Sequence, residues 1–193
     1  MLRHKKHQAL NFKPNYSTGG AQKTEVHWLE FFAFLFTKYF MFSWFRKNKS
    51  LLSQDIQDAV IATIAAAEKR SSGEIRVYVE SHCAMVNPID RSAAIFEQLN
   101  MHLTKERNGV LLYLALKDKQ FAIVGDEGIN QKVGGNNYWE FIASKLKEHF
   151  KAGQIKEGIC FCVTEIGISL AKHYPEDSSA QINELPNEIV FGK

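Results

Sequence analysis

The chain has few cysteines, Cys83, Cys160 and Cys162, and that scarcity excludes a disulfide framework. Cys160 and Cys162 lie two apart in a helical pattern and point to different sides of it, so the three read as reduced thiols in a cytosolic-type setting. Nor is there an excess of one charge: 24 Lys+Arg stand against 21 Asp+Glu, a net charge of +3. The basic excess sits in the first fifty residues (Arg3, Lys5, Lys6, Lys13, Lys23, Lys38, Arg46, Lys47 and Lys49), which leaves the rest slightly acidic. Such a body gives nucleic acid no electrostatic footprint.

Several catalytic and ligand-binding signatures are missing too. There is no Gly-rich Lys-Ser/Thr phosphate loop, no HExxH pair for zinc and no nucleophile elbow around a serine. The segment from Asp126 to Gly135 lacks the alternating acidic pattern and terminal Glu of an EF-hand loop. Gly125-x-x-Gly128 alone is too little for a dinucleotide site. No repeat and no low-complexity tract occurs in the body.

What is present divides into three parts. Residues 1–50 form a basic and aromatic N-terminal extension, and the stretch from Met1 to Gly20 is polar, without period, and expected to be disordered. Residues 28–45 crowd Trp28, Phe31, Phe32, Phe34, Phe36, Phe40 and Trp44, interrupted by Glu30 and Lys38. Three readings stand for this stretch: a membrane-associated anchor with Arg46 and Lys47 at the headgroups, a helix packed on the domain, or an upstream mis-start with synthesis beginning at Met41. Residues 175–193 form an extended tail that regains apolar alternation from Ile182 and can add an edge strand, with Pro186 breaking it.

Residues 51–174 carry the domain. Ser53 is an N-cap candidate for a helix to Arg70 with Ile56, Val60, Ile64 and Ala67 on one face. Ile75, Val77 and Val79 then alternate with Arg76, Tyr78 and Glu80, the period of a half-covered strand. Pro88 and Asp90 open a second helix with Ile95, Phe96, Leu99 and Leu103 expected inward. Gly109 to Leu116 is a nearly unbroken apolar run, the mark of a central strand covered on both faces. Lys117-Asp118-Lys119 turns it into a hairpin with Gln120 to Val124. Helices follow over Asn137 to Phe150 and Ile155 to His173. The order α-β-α-β-β-α-α predicts a three-layer αβα sandwich with a small mixed β-sheet, an α/β fold.

That order also predicts where a site lies. A helical crossover makes the first two strands parallel, and the hairpin makes the third antiparallel to the second. Glu74, Arg107, Asn108, Gly125, Asp126 and Glu127 then converge on one sheet edge. Carboxylates, an amide and exposed carbonyls are hard oxygen ligands, suited to Ca²⁺ or Mg²⁺. The plainer alternative is that Gly125 to Gly128 is only a tight turn and Glu74 pairs with Arg76 or Arg107.

Ser72-Gly73-Glu74 before the first strand, Arg107-Asn108-Gly109 before the second and Gly125-Asp126-Glu127-Gly128 after the third resemble the TPM domain, in its single-domain bacterial form. This family is named for thylakoid, photosystem-associated and receptor-modulating members. The resemblance implies a divalent cation, calcium above all, at Asp126, Glu127, Glu74 and Asn108. It brings in Glu157, through the match at Gly153-x-x-x-x-Gly158, as an outer-shell residue beside Arg107. It implies a non-enzymatic cytoplasmic module acting through a protein partner not identified by the sequence. Its alternatives are a metal-assisted, acid-phosphatase-like phosphoester hydrolase, with Arg107 as a phosphate partner, and a membrane-associated adaptor. If the domain is an enzyme, the resemblance implies a phosphatase, but no committed nucleophile stands among the converging residues, which weighs against the enzyme reading.

Overall fold

The computed structural model of the chain describes residues 51–134, 136–176, 186 and 188–192. The extension over residues 1–50, with the expected anchor at 28–45 and the alternative start at Met41, lies outside them. Among the described residues no helix is long and apolar enough to cross a membrane.

Helix α1 spans Gln54–Glu68 and buries Val60, Ile64 and Ala67, the helically spaced apolar positions. Ser53 is its N-cap residue in an extended conformation, but its side chain makes no capping bond. Strand β1 (Ile75–Glu80) leads to helix α2 (Pro88–Gln98), where the Asn87 side chain caps the Ile89 N–H and Pro88 takes the first turn. Strands β2 (Val110–Ala115) and β3 (Gln120–Gly125) form the expected hairpin. Three helices follow: α3 (Glu127–Lys132), α4 (Asn136–Lys151) and α5 (Ile155–His173). The tail closes with β4 (Ile189–Phe191), beyond Pro186.

The sheet order is β3-β2-β1-β4, with β1 parallel to both β2 and β4 and β2 antiparallel to β3. Every residue of β2 is buried, as its unbroken apolar run requires of a strand covered on both faces. One face places Val77, Val79, Leu112 and Leu114 in a core with Ile64, Ile142, Leu146, Ile159, Cys162 and Leu170. The other places Tyr78, Leu111, Tyr113 and Ala115 against Ile95, Phe96 and Met101. Helices on both sides of a mixed sheet make the α/β architecture that the element order predicts. All three cysteines are free thiols: Cys162 is buried, and Cys83 and Cys160 are half-buried.

Four local expectations are corrected. Strand β1, patterned as half-covered, is buried at every position, Arg76 and Glu80 included, because α2 packs on the face that its polar residues share. Helix α1 ends at Glu68 rather than Arg70. Leu103 is 68% exposed instead of facing inward, and Met101 is fully buried in its place. Asn100 adopts a left-handed conformation (φ 56°) that breaks the register of α2, and a 3-10 turn over Met101–Leu103 rotates Leu103 outward. The segment after β3 is not a plain turn, because Asp126 caps a helix there.

Candidate functional site

The parallel register aligns Ile75 with Val110, and the hairpin register aligns Val110 with Gly125. The residues before β1, those before β2 and those after β3 therefore share one sheet edge. Backbone bonds hold the three segments together: Val110 N–H donates to the Glu74 carbonyl (2.8 Å) and Asp126 N–H to the Gly109 carbonyl (2.9 Å). Ile129 N–H donates to the Arg107 carbonyl (3.3 Å), which ties the first turn of α3 to the approach to β2.

Asp126 sits at the centre and is buried. Its Oδ1 accepts the Glu127 N–H at 2.7 Å, satisfying one of the free N–H groups at the start of α3. Arg107 grips the same carboxylate with two bonds, Nε to Oδ2 at 2.7 Å and a terminal nitrogen to Oδ1 at 2.8 Å. This is a bidentate guanidinium–carboxylate pair. It is asymmetric: the Arg107 side chain is 49% exposed and that of Asp126 is 5% exposed. Arg107 also has a left-handed backbone (φ 52°), a conformation uncommon outside glycine, asparagine and aspartate.

Beside this pair lies a second polar group. Asn108 is buried, and its side-chain amide donates to the Ser72 carbonyl (3.2 Å), to Ser72 Oγ (3.3 Å) and weakly to Glu106 Oε2 (3.5 Å). The Ser72 hydroxyl donates in turn to Glu106 Oε2. Asn108 Oδ1 is buried with no hydrogen-bond partner among the described residues.

Gly128 lets the segments approach. A Cβ at that position would lie 2.4 Å from the Glu106 carbonyl, 2.7 Å from the Arg107 carbonyl and 2.9 Å from the Tyr174 hydroxyl. Tyr174, just past the end of α5, therefore reaches this edge. Burial raises its hydroxyl above the ordinary tyrosine value, and the charges of Glu106 and Asp126 add to the effect.

The structure thus brings Arg107, Asn108 and Asp126 together, and adds Ser72, Glu106 and Tyr174. Ser72 opens the first of the motifs singled out in the sequence and Glu106 borders the second, whereas nothing local marks Tyr174, which arrives through the packing of α5. Glu127 is exposed and accepts from Gln131 Nε2 at 3.3 Å. Glu74 is buried at the edge, with its charge acting on Glu68 and Arg76. Glu157 is exposed in the first turn of α5. At ~1.5 Å rise per residue this helix is about 28 Å long, which puts Glu157 at the end remote from Tyr174 and the site. Among the described residues no group of three or more His, Cys, Asp or Glu side chains is arranged to hold a metal ion.

Comparison with known proteins agrees with this architecture. The TPM domain family matches residues 46–168. Similar solved structures include the NMR structure of the BA42 protein from the psychrophilic bacterium Bizionia argentinensis, 38% identical, covering 76% of this chain and 99% of that one with a TM-score of 0.69. An N-terminal domain from P. gingivalis is 20% identical and covers 67% of this chain and 85% of that one at a TM-score of 0.55. An N-terminal domain from Corynebacterium glutamicum is 13% identical and covers 70% of this chain and 81% of that one at a TM-score of 0.51. These last two are alike in fold alone. No curated protein matches the chain. With its family-specific edge motifs, its mixed sheet and a relative aligned over nearly that relative's whole length, the chain belongs to the TPM domain family.

Proposed function

We propose that the domain binds a divalent cation, Ca²⁺ or Mg²⁺, at this sheet edge, and acts through a protein partner rather than by catalysis. The observation that carries the reading is Asn108 Oδ1, a buried carbonyl oxygen with no hydrogen-bond partner among the described residues. Buried acceptors are nearly always satisfied, by protein, water or ion. At the same edge stand the oxygen donors a hard cation takes: the Ser72 hydroxyl and Glu106 carboxylate beside the Asn108 amide nitrogen, the Tyr174 hydroxyl beside Gly128, and the Asp126 carboxylate. The residues fit a site with few charges and several neutral oxygens, completed by water. Glu106 and Asp126 supply its negative charge, Asn108 supplies a neutral ligand, and Glu127 stands outside as an exposed acceptor. Glu74 takes a supporting place, since its charge is shared with Glu68 and Arg76. A bound cation supplies charge neutralisation, drawing three chain segments onto one centre. Glu157 is left out of this site by its distance.

Phosphoester hydrolysis is the second reading. The half-exposed Arg107 guanidinium favours it, because its fork suits phosphate oxygens. Ser72 donates its hydroxyl to Glu106, so that carboxylate is the group placed to accept a proton there. Release of inorganic phosphate that survives in wild type and disappears in Ser72→Ala would favour this reading over the first. The adaptor reading depends on residues 28–45, and vesicle binding retained after their deletion would remove it.

Titration with CaCl₂ and MgCl₂, followed by backbone NMR shifts, tests the main reading. Shifts should concentrate at residues 72–74, 106–109 and 125–128, with Tyr174 following. Saturable binding without shifts in those segments would overturn it.

A further inference from the structure

The Arg107–Asp126 pair bears on how such a site fills, and the argument rests on the cation reading above. In-plane carboxylate oxygens each offer about two acceptor positions. Asp126 Oδ1 uses both, for Arg107 and for the Glu127 N–H, and Oδ2 uses one for Arg107 Nε. A divalent ion on Asp126 would therefore meet a nearly filled carboxylate and a guanidinium already seated there. Two cations cannot share that position without strong repulsion.

One of the two is free to go. Arg107 is fastened by its backbone, its N–H donating to the Thr104 carbonyl (3.1 Å) and its carbonyl accepting from Ile129 (3.3 Å). Its side chain is 49% exposed, whereas the Asp126 carboxylate is 5% exposed. The guanidinium can thus swing into water and regain its hydration while the carboxylate stays fixed by the cap of α3. The left-handed backbone at Arg107 (φ 52°) fixes the root of the side chain beside Asp126, so the arginine remains tethered next to the carboxylate it leaves.

We infer that Arg107 is a tethered counter-cation that occupies Asp126 until a divalent ion displaces it. Ion binding and the Arg107–Asp126 pair exclude one another. The arginine keeps the buried carboxylate paired when no ion is present, where an unpaired charge would be costly. It also lowers the apparent affinity by the fraction of molecules in which Asp126 is open. The site responds to high ion concentrations and ignores traces.

The test is calorimetric titration of the full chain with CaCl₂, comparing wild type, Arg107→Gly, Arg107→Lys and Lys132→Gln. Glycine accepts the left-handed backbone without strain. Lysine keeps the charge but loses the fork. Lys132→Gln removes an exposed positive charge from the last turn of α3 without touching Asp126. Arg107→Gly should bind about tenfold more tightly than wild type, Arg107→Lys should fall between, and Lys132→Gln should stay within about twofold of wild type. A second measurement needs no variant: the Arg107 Nε–H resonance of wild type should move from a hydrogen-bonded to a solvent-exposed position as CaCl₂ saturates the protein. Wild-type binding with equal or weaker affinity in Arg107→Gly, an equal gain in Lys132→Gln, or an Nε–H signal that stays bonded at saturation would overturn the displacement and leave the cation site standing. No Ca²⁺ binding in any of the four proteins would remove both.

Discussion

Tyr113 donates its hydroxyl to Oε1 of Glu80 across 2.6 Å, joining the central strand to its parallel neighbour at the edge opposite the candidate site. The carboxylate is 1% exposed and is also held by Arg91, through Nε at 3.0 Å and a terminal nitrogen at 2.8 Å. One side chain thereby fastens β1, β2 and α2. Tyr113→Phe should cost about 1–3 kcal/mol, the range for depriving a buried acceptor of its donor. Glu80→Ala should cost more, about 3–5 kcal/mol, because it leaves Arg91 without its counter-charge. Urea denaturation at pH 7 checks both.

The same carboxylate sets an acid limit. Burial pulls its value up, but Arg91 and Tyr113 outweigh that and hold it below the ordinary carboxylate range. A lowered native value contributes stability above the unfolded value of 4.5 and loses it as pH falls through the folded value. Glu80→Gln, less stable at pH 7, should therefore lose less stability than wild type between pH 5 and roughly pH 3. Parallel thermal curves for the two proteins across that window would count against it.

Glu68 predicts the reverse slope. Burial pushes its carboxyl up from 4.5 to about 8, against the Ile75 N–H that donates to it at 2.8 Å, with the Glu74 charge adding to the rise. A raised native value gives stability that is full below pH 4.5 and is lost as pH climbs toward 8. Glu68→Gln keeps an acceptor for Ile75 and removes the charge. It should melt roughly 3–8 °C above wild type at pH 8.5 and close to wild type at pH 4.5. A difference independent of pH would show that Glu68 does not titrate in this window.

Gly128→Ala should destabilise by about 1–3 kcal/mol, since the new methyl meets two backbone carbonyls, which cannot rotate away as a side chain can. The amide shifts of residues 106–108 should move with it. An unchanged urea midpoint would mean that the approach to β2 can give way.

Leu112→Ala should cost about 2–5 kcal/mol, as for a fully buried leucine with no room to collapse. Leu103→Ala, by contrast, should fall within about 0.5 kcal/mol of wild type. A large loss at Leu103 would restore the inward orientation that helical spacing alone suggests.

Leu103 also marks where the sequence stops being legible. The period of α2 runs on through Leu99 to Leu103, but Asn100 turns left-handed and ends it, and no periodicity anticipates one residue's φ. The strands read well as strands, and the apolar run of β2 gave its burial on both faces, but the alternation in β1 did not: Arg76 and Glu80 are buried along with Val77 and Val79, because helices cover both faces of the sheet. From strand order alone, the convergence of Arg107, Asn108 and Asp126 could be derived. The partners they chose could not. Whether Asp126 faces an ion or Arg107 depends on side-chain positions a few ångströms apart, and Tyr174 enters only because α5 delivers it from a distant part of the chain. Glu157 shows the opposite failure: matching a motif says nothing about which end of a 19-residue helix lies near the site.

Strand β4 pairs with β1, Val77 opposite Ile189, and Gly192 N–H donates to the Val79 carbonyl at 2.9 Å. The partners are nearly the whole domain apart in sequence, so during synthesis the outer rim of β1 waits uncovered until Ile189–Phe191 have emerged. An uncovered strand rim is a template for pairing with another chain. The three residues of β4 thus act as a seal: without them the outer rim of β1 is an adhesive side, open to neighbouring chains.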